Sequence, residues 1–188
     1  MTPVGHLITA ASMATAFMRV NSLSWTHGIA GLPDFFVVNS SLAMSSSSGL
    51  TLISLGMVLG ARGPDRLEFP VFNRLTKVRR SLIPHRTLTH WPGFWILATV
   101  ISCTSSFFAM DDILFQTIAC VAIGFCSASW LHLIMDIMTP TGIPLLTPFG
   151  KRTTLNLYKT GSFGEWLYIL VFLISSQLLA SLLSSFFA

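Results

Sequence analysis

Three stretches of this chain, Trp91 to Met110, Ile113 to Met135 and Trp166 to Ala188, contain no Asp, Glu, Lys or Arg, and only His132 interrupts them. As helices, apolar runs of about 20 residues cross roughly 30 Å of hydrocarbon. Charged residues make up 10% of the chain and hydrophobic ones 52%, whereas a typical soluble domain carries about 25% charge. So few charges cannot coat a water-facing surface, which excludes an ordinary soluble globule, and the hydrophobic content excludes disorder. At 188 residues the chain is one domain, 1–188.

A fourth crossing lies within the uncharged stretch Phe35 to Ala61, from Leu42 onward, and its Gly56 and Gly60 form a GxxxG pattern that lets helices pack closely. A fifth helix, Val4 to Val20, is interrupted by His6 and Arg19. The fold expected is therefore all-α, a polytopic membrane bundle of about five embedded helices. Cys103, Cys120 and Cys126 lie inside apolar runs without a CxxC and read as small buried hydrophobes. The opening Met1 to Met18 has the length of a signal peptide but no Lys or Arg ahead of its apolar part, so it reads as a retained helix.

Loop charge sets the expected orientation. Arg62 to His90 holds Arg62, Arg66, Arg74, Lys77, Arg79, Arg80 and Arg86, whereas the turn Asp111-Asp112 has no base. By the positive-inside rule the basic loop faces the cytoplasm, with the amino terminus and Asp136 to Glu165 on the same side. Asn21 to Ser41 then becomes an outer loop. On this topology His6, Asp65, Glu68, His85, His90, His132, Asp136 and Glu165 all fall at one membrane face.

His132 and Asp136 stand four residues apart on one helix, so imidazole and carboxylate share a face one turn apart. That pair suits a divalent metal, or alternatively a hydrogen-bonded pair closing the helix end. His85 and His90 precede the third span, where Pro92 marks a helix start. Five residues apart, they meet only through an irregular segment, and otherwise are two interfacial histidines. Asp65 and Glu68 follow the second span, either as ligands or as solvated partners of nearby arginines. Glu165 opens the last helix, where a carboxylate also favours the helix N-terminus. His6 gains weight only in company with the others. Between them, Thr139 to Pro148 is punctuated by proline and reads as a lid or pocket wall.

Taken together, Gly5-His6, Pro64-Asp65, His85-Arg86, Thr89-His90, His132 with Asp136, Thr139 to Pro148, and Thr160-Gly161-Ser162 with Glu165 resemble the YdjM-like family of predicted metal-dependent hydrolases of the bacterial inner membrane. These anchors run from position 5 to 165 in the family's order. Where the family usually has a second Asp two residues after the first, this chain has Leu67, with Glu68 the nearest carboxylate. Leu32-Pro33-Asp34 is a second Pro-Asp match, set aside because the topology places it outside. The family pattern is similar to the metal arrangement of zinc-dependent phospholipase C and P1-type nucleases, and that likeness implies phosphodiester chemistry.

The expectation is a membrane-bound metal-dependent hydrolase acting on a phosphoester or phospholipid-like amphiphile at the cytoplasmic face. Its candidate metal ligands are His6, Asp65, His85, His90, His132 and Asp136, with Glu165 or Glu68 as general base. The cofactor expected is a divalent metal, zinc first, with manganese and iron as alternatives. Arg86 and Lys159 are candidates to hold an anionic lipid headgroup, membrane lipids are the expected surroundings, and no nucleic-acid partner is expected. The competing reading is a non-catalytic membrane protein, either a transporter or metal-ion carrier, or a lipid- or partner-binding regulator working through the basic loop 62–90.

Overall fold

A computed structural model describes residues 1–27, 46–68, 70–73, 78–81, 86–108 and 112–186 of the chain. Asp34, His85 and the expected start of the second helix at Leu42 lie outside the described residues. Five long helices, α1 (Pro3–His27), α2 (Ser46–Gly60), α4 (Pro92–Phe108), α5 (Ile113–Ile137) and α6 (Phe163–Phe186), and one short turn of helix, α3 (Gly63–Arg66), account for most of the described residues. Two antiparallel ribbons lie in the loops: β1 (Pro70–Asn73) pairs with β2 (Val78–Ser81), and β3 (Ile143–Pro144) with β4 (Arg152–Thr153). The sequence expectation contained no strands. Both ribbons are too short to carry a readable alternation of apolar and polar residues.

The helix boundaries follow local chemistry. Pro92 opens α4, and its missing N–H costs nothing in a first turn. The Asp112 carboxylate caps α5, accepting from the backbone N–H groups of Leu114 at 2.8 Å and Phe115 at 3.3 Å. At the other end of α5 the backbone N–H of Thr139 donates to the Asp136 carbonyl at 3.1 Å, and Pro140 follows. The chain then folds back: the N–H groups of Leu155 and Leu157 each donate at 2.8 Å, to the carbonyls of Ile137 and Met138. These bonds satisfy acceptors that a helix end leaves open. Helix α1 runs on to His27, well beyond the expected end at Val20.

Helix α5 is central. It packs between α2 and α4, while α1 lies against both α2 and α6. The α2–α5 contact is set by glycine: a methyl group at Gly56 or Gly60 would overlap the backbone of Val121 or Phe125, and one at Gly124 the backbone of Ile53. The GxxxG pattern thus serves helix packing. Apolar clusters fill the spaces between helices, one around Ala10, Ala14, Met57 and Ala128, one around Leu131, Met135 and Ile169, and one around Trp95, Cys126, Leu133 and Ile143.

The outer surface is apolar. Leu167, Leu170, Ile174, Leu178 and Leu182 of α6 and Leu97 and Val100 of α4 are all exposed. Among the described residues, α5 and the Phe163–Ser185 segment of α6 are the two stretches long and apolar enough to cross a membrane. Helix α2 at 15 residues and α4 at 17 fall short of the roughly 20 that a perpendicular crossing needs. Helix α1 has the length, but Thr9, Ser12 and Thr15 lower its hydropathy.

Candidate metal centre

One end of the bundle collects the start of α1, the end of α2, α3, the turn before α4, the end of α5 and the start of α6. Each delivers polar groups to a shared, buried place. The last turns of α5 carry His132 and Asp136, both 1% exposed. The single 3-10 turn Leu88–His90 presents His90, fully buried, and is held because the Trp95 indole donates to the Thr89 carbonyl at 2.6 Å. Asp65 enters on α3, which can follow α2 so closely because Gly63 sits against Ser129 and the Phe125 ring. His6, at the end of the first turn of α1, stacks on His132 with ring centroids 3.7 Å apart and planes 11° from parallel.

Four ligand-type atoms face one another. His90 Nε2 lies 3.5 Å from Asp65 Oδ1 and 3.6 Å from Asp136 Oδ2. His132 Nε2 lies 3.8 Å from the same Asp65 oxygen and 3.7 Å from the same Asp136 oxygen. A cation bound tetrahedrally at about 2.1 Å keeps its ligands about 3.4 Å apart. These four spacings are close to that edge length, and the donor set of two imidazoles and two carboxylates suits zinc and its neighbours. His132 Nε2 is buried with no hydrogen-bond partner among the described residues, a costly state unless something else pairs it. His6 Nε2 reaches the other oxygen of Asp136, at 3.5 Å, and forms a second possible triad with His132 and Asp136.

Behind the ligand atoms, further groups set the imidazoles. His132 Nδ1 is 2.9 Å from the Ala61 carbonyl, which can only accept, so Nδ1 carries the proton and Nε2 has its lone pair free. His90 Nδ1 is 3.3 Å from Glu68 Oε1. The same Glu68 oxygen accepts from the Arg86 N–H at 2.9 Å and the Thr89 hydroxyl at 3.3 Å. Glu68 therefore touches His90 on the side away from the four-atom cluster, in the carboxylate–histidine arrangement common behind metal ligands. Arg86 adopts a left-handed backbone, φ 59°, unusual for a side-chain-bearing residue. Its guanidinium pairs with Asp136 Oδ2 at 2.9 Å and also holds Thr141 and the Gly142 carbonyl. Asp65 is the most open of the four ligand-type residues, its side chain 29% exposed. Burial works to raise its pKa, but His90 and the charge of His132 outweigh that and hold it down to about 2.

The other expected site residues lie elsewhere. Glu165 is fully buried, and both of its oxygens are engaged: Oε1 accepts from the Thr2 N–H and hydroxyl, each at 2.6 Å, and Oε2 from the Gly161 N–H at 2.6 Å. It clamps the start of α1 to the start of α6. Lys159 is exposed. Its neighbour Tyr158 is buried and donates to the Met135 carbonyl at 3.0 Å. Burial, then the Glu165 charge, pushes that phenol up, so it remains a donor. Sequence reasoning did not find Thr2 or the Ala61 carbonyl, and it read Thr139 and Thr141 only as part of a pocket wall. The threonines offer only a common hydroxyl, and the carbonyl has no side-chain signal at all.

A family model described as "YdjM inner membrane protein" matches residues 1–187. An "Uncharacterized protein YvsG" from Bacillus subtilis (strain 168) is 40% identical over 103 residues, covering 54% of this chain and 56% of that protein. The chain thus matches little more than half the length of that relative. No solved structure matches.

Proposed function

This chain belongs to the YdjM inner membrane protein family, and we propose that it is a membrane-bound metal-dependent hydrolase of phosphoester amphiphiles. One observation carries the reading: the buried Nε2 atoms of His90 and His132 each lie 3.5 to 3.8 Å from the same oxygens of Asp65 and Asp136. Zinc is the proposed cation, with manganese and iron as alternatives. Bound there, a divalent cation supplies Lewis acidity, polarising a phosphoryl oxygen and bringing the pKa of water down toward ~7.

The protein's own groups do the rest. Asp65, charged at neutral pH and partly open, offers its carboxylate to the cation from the solvent side. Glu68 and the Ala61 carbonyl keep both imidazoles in the tautomer that leaves Nε2 as a donor of electron pairs. Arg86 balances the charge of Asp136 and ties it to the loop that closes the site. The surrounding burial of His90, His132 and Asp136 keeps bulk water from the ligand atoms.

The proposed setting is the bacterial inner membrane, crossed several times, with the amino terminus and loops 62–90 and 136–165 at the cytoplasmic face. A carrier would place acidic and histidine side chains along the helices. Among the described side chains these residues instead gather at one end, apart from Asp112, which caps α5. The test is hydrolysis of phosphodiesters and phospholipids in detergent micelles. We expect activity that a chelator removes, that zinc restores and that His132→Ala lacks. Activity indifferent to chelator and to His132→Ala would reject the metal-dependent reading.

A further inference from the structure

Between α1 and the end of α2 lies a cavity of about 200 Å³. Val4 and Leu7 of α1 and Val58 and Leu59 of α2 form its walls, and all four are 41% to 55% exposed. Arg62 and Arg66 stand at its edge. The Nε of Arg62 is buried without a hydrogen-bond partner among the described residues, while Arg66 is exposed. An apolar slot lined also by two guanidiniums matches a ligand with a hydrocarbon part and an anionic head.

The two elements that line the slot also carry the centre. His6 lies between Val4 and Leu7 in the chain, and Asp65 between Arg62 and Arg66, so each turns an adjacent residue inward. We propose that this groove binds an anionic phospholipid, with its phosphate on Arg62 and Arg66 and the first part of one acyl chain against Val4, Leu7, Val58 and Leu59. At about 200 Å³ it is smaller than an ordinary small-molecule pocket of about 300–1,000 Å³. It takes the glycerol end of the lipid while the rest of the chain stays in the bilayer. The groove is then the substrate's seat, an assignment that rests on the hydrolase reading.

The full chain in detergent is titrated with phosphatidylglycerol and with phosphatidylcholine, and bound lipid is counted by native mass spectrometry, with metal content measured on the same samples. Phosphatidylglycerol is expected to bind about tenfold tighter, and the R62Q/R66Q double variant to lose that preference. Leu59→Trp, which fills the slot, is expected to weaken both lipids, and inorganic phosphate at the lipid's concentration not to compete. Equal binding of the two lipids, or a preference that neither variant reduces, overturns the groove. Phosphate competition without an effect of Leu59→Trp does the same, assigning the arginines to a free anion. Metal retained with no lipid preference refutes the groove alone, whereas lipid preference in a protein that takes up no metal refutes the hydrolase reading instead.

Discussion

Glu68 and Glu165 are alike in composition and far apart in what they touch. Glu68 reaches the back of His90, so its loss should loosen a ligand without removing one. Glu68→Ala is expected to weaken zinc affinity by about 10- to 100-fold, measured against a competing chelator, while leaving about one equivalent bound at saturation. Glu165 accepts three short bonds from Thr2 and Gly161. Glu165→Ala should therefore lower stability, by about 1–3 kcal/mol for the donors left unpaired. In Glu165→Gln the metal content should stay near that of the parent, whereas a base acting directly on water would lose turnover at unchanged stability. Acid should release the metal, because protons compete for imidazole. Asp65, held down to about 2, stays charged throughout that titration. Release is thus expected to follow protonation of the imidazoles, and a metal content that acid leaves unchanged would contradict it. At this scale the sequence was a partial guide. The His132/Asp136 spacing encodes a shared helical face directly, while the difference between Glu68 and Glu165 depends on partners 18 to 163 residues away.

Helix ends were more legible than helix partners. Pro92, Asp112 and the uncharged runs mark α4, α5 and α6 to within a few residues, because caps and prolines act locally. The end of α1 at His27 was not readable, since neither a proline nor a glycine stops it near Val20. The ribbons in the loops escaped notice for want of length. Helix α2 links packing to the site: its glycines seat it on α5, and Ala61 and Asp65 follow directly. Gly60→Val is expected to push α2 away from Phe125, costing about 1–3 kcal/mol by overpacking, and to reduce zinc affinity as well. A variant with a lowered melting temperature and unchanged zinc affinity would show that the end of α2 does not position the centre.

For the molecule as a whole, a bundle with an apolar exterior brings polar groups from separate segments to one end, where each had only weak meaning alone. Parity made that convergence foreseeable: helices entering and leaving one face must bring alternate ends together. Orientation can be tested in a cysteine-free background with single cysteines at Lys159, on the site face, and Asp112, on the opposite one. An impermeant thiol reagent added outside the inner membrane is expected to label the Asp112→Cys variant and spare the Lys159→Cys variant. The reverse pattern would place the centre on the outer side.

The most direct measurement is the metal content of detergent-purified protein by elemental analysis, with the parent beside a His90→Ala/His132→Ala variant of matched helical content. The four-atom arrangement predicts about one divalent ion per chain in the parent and nearly none in the variant. Equal metal in both, or none in the parent after exposure to zinc, manganese and iron, would contradict it.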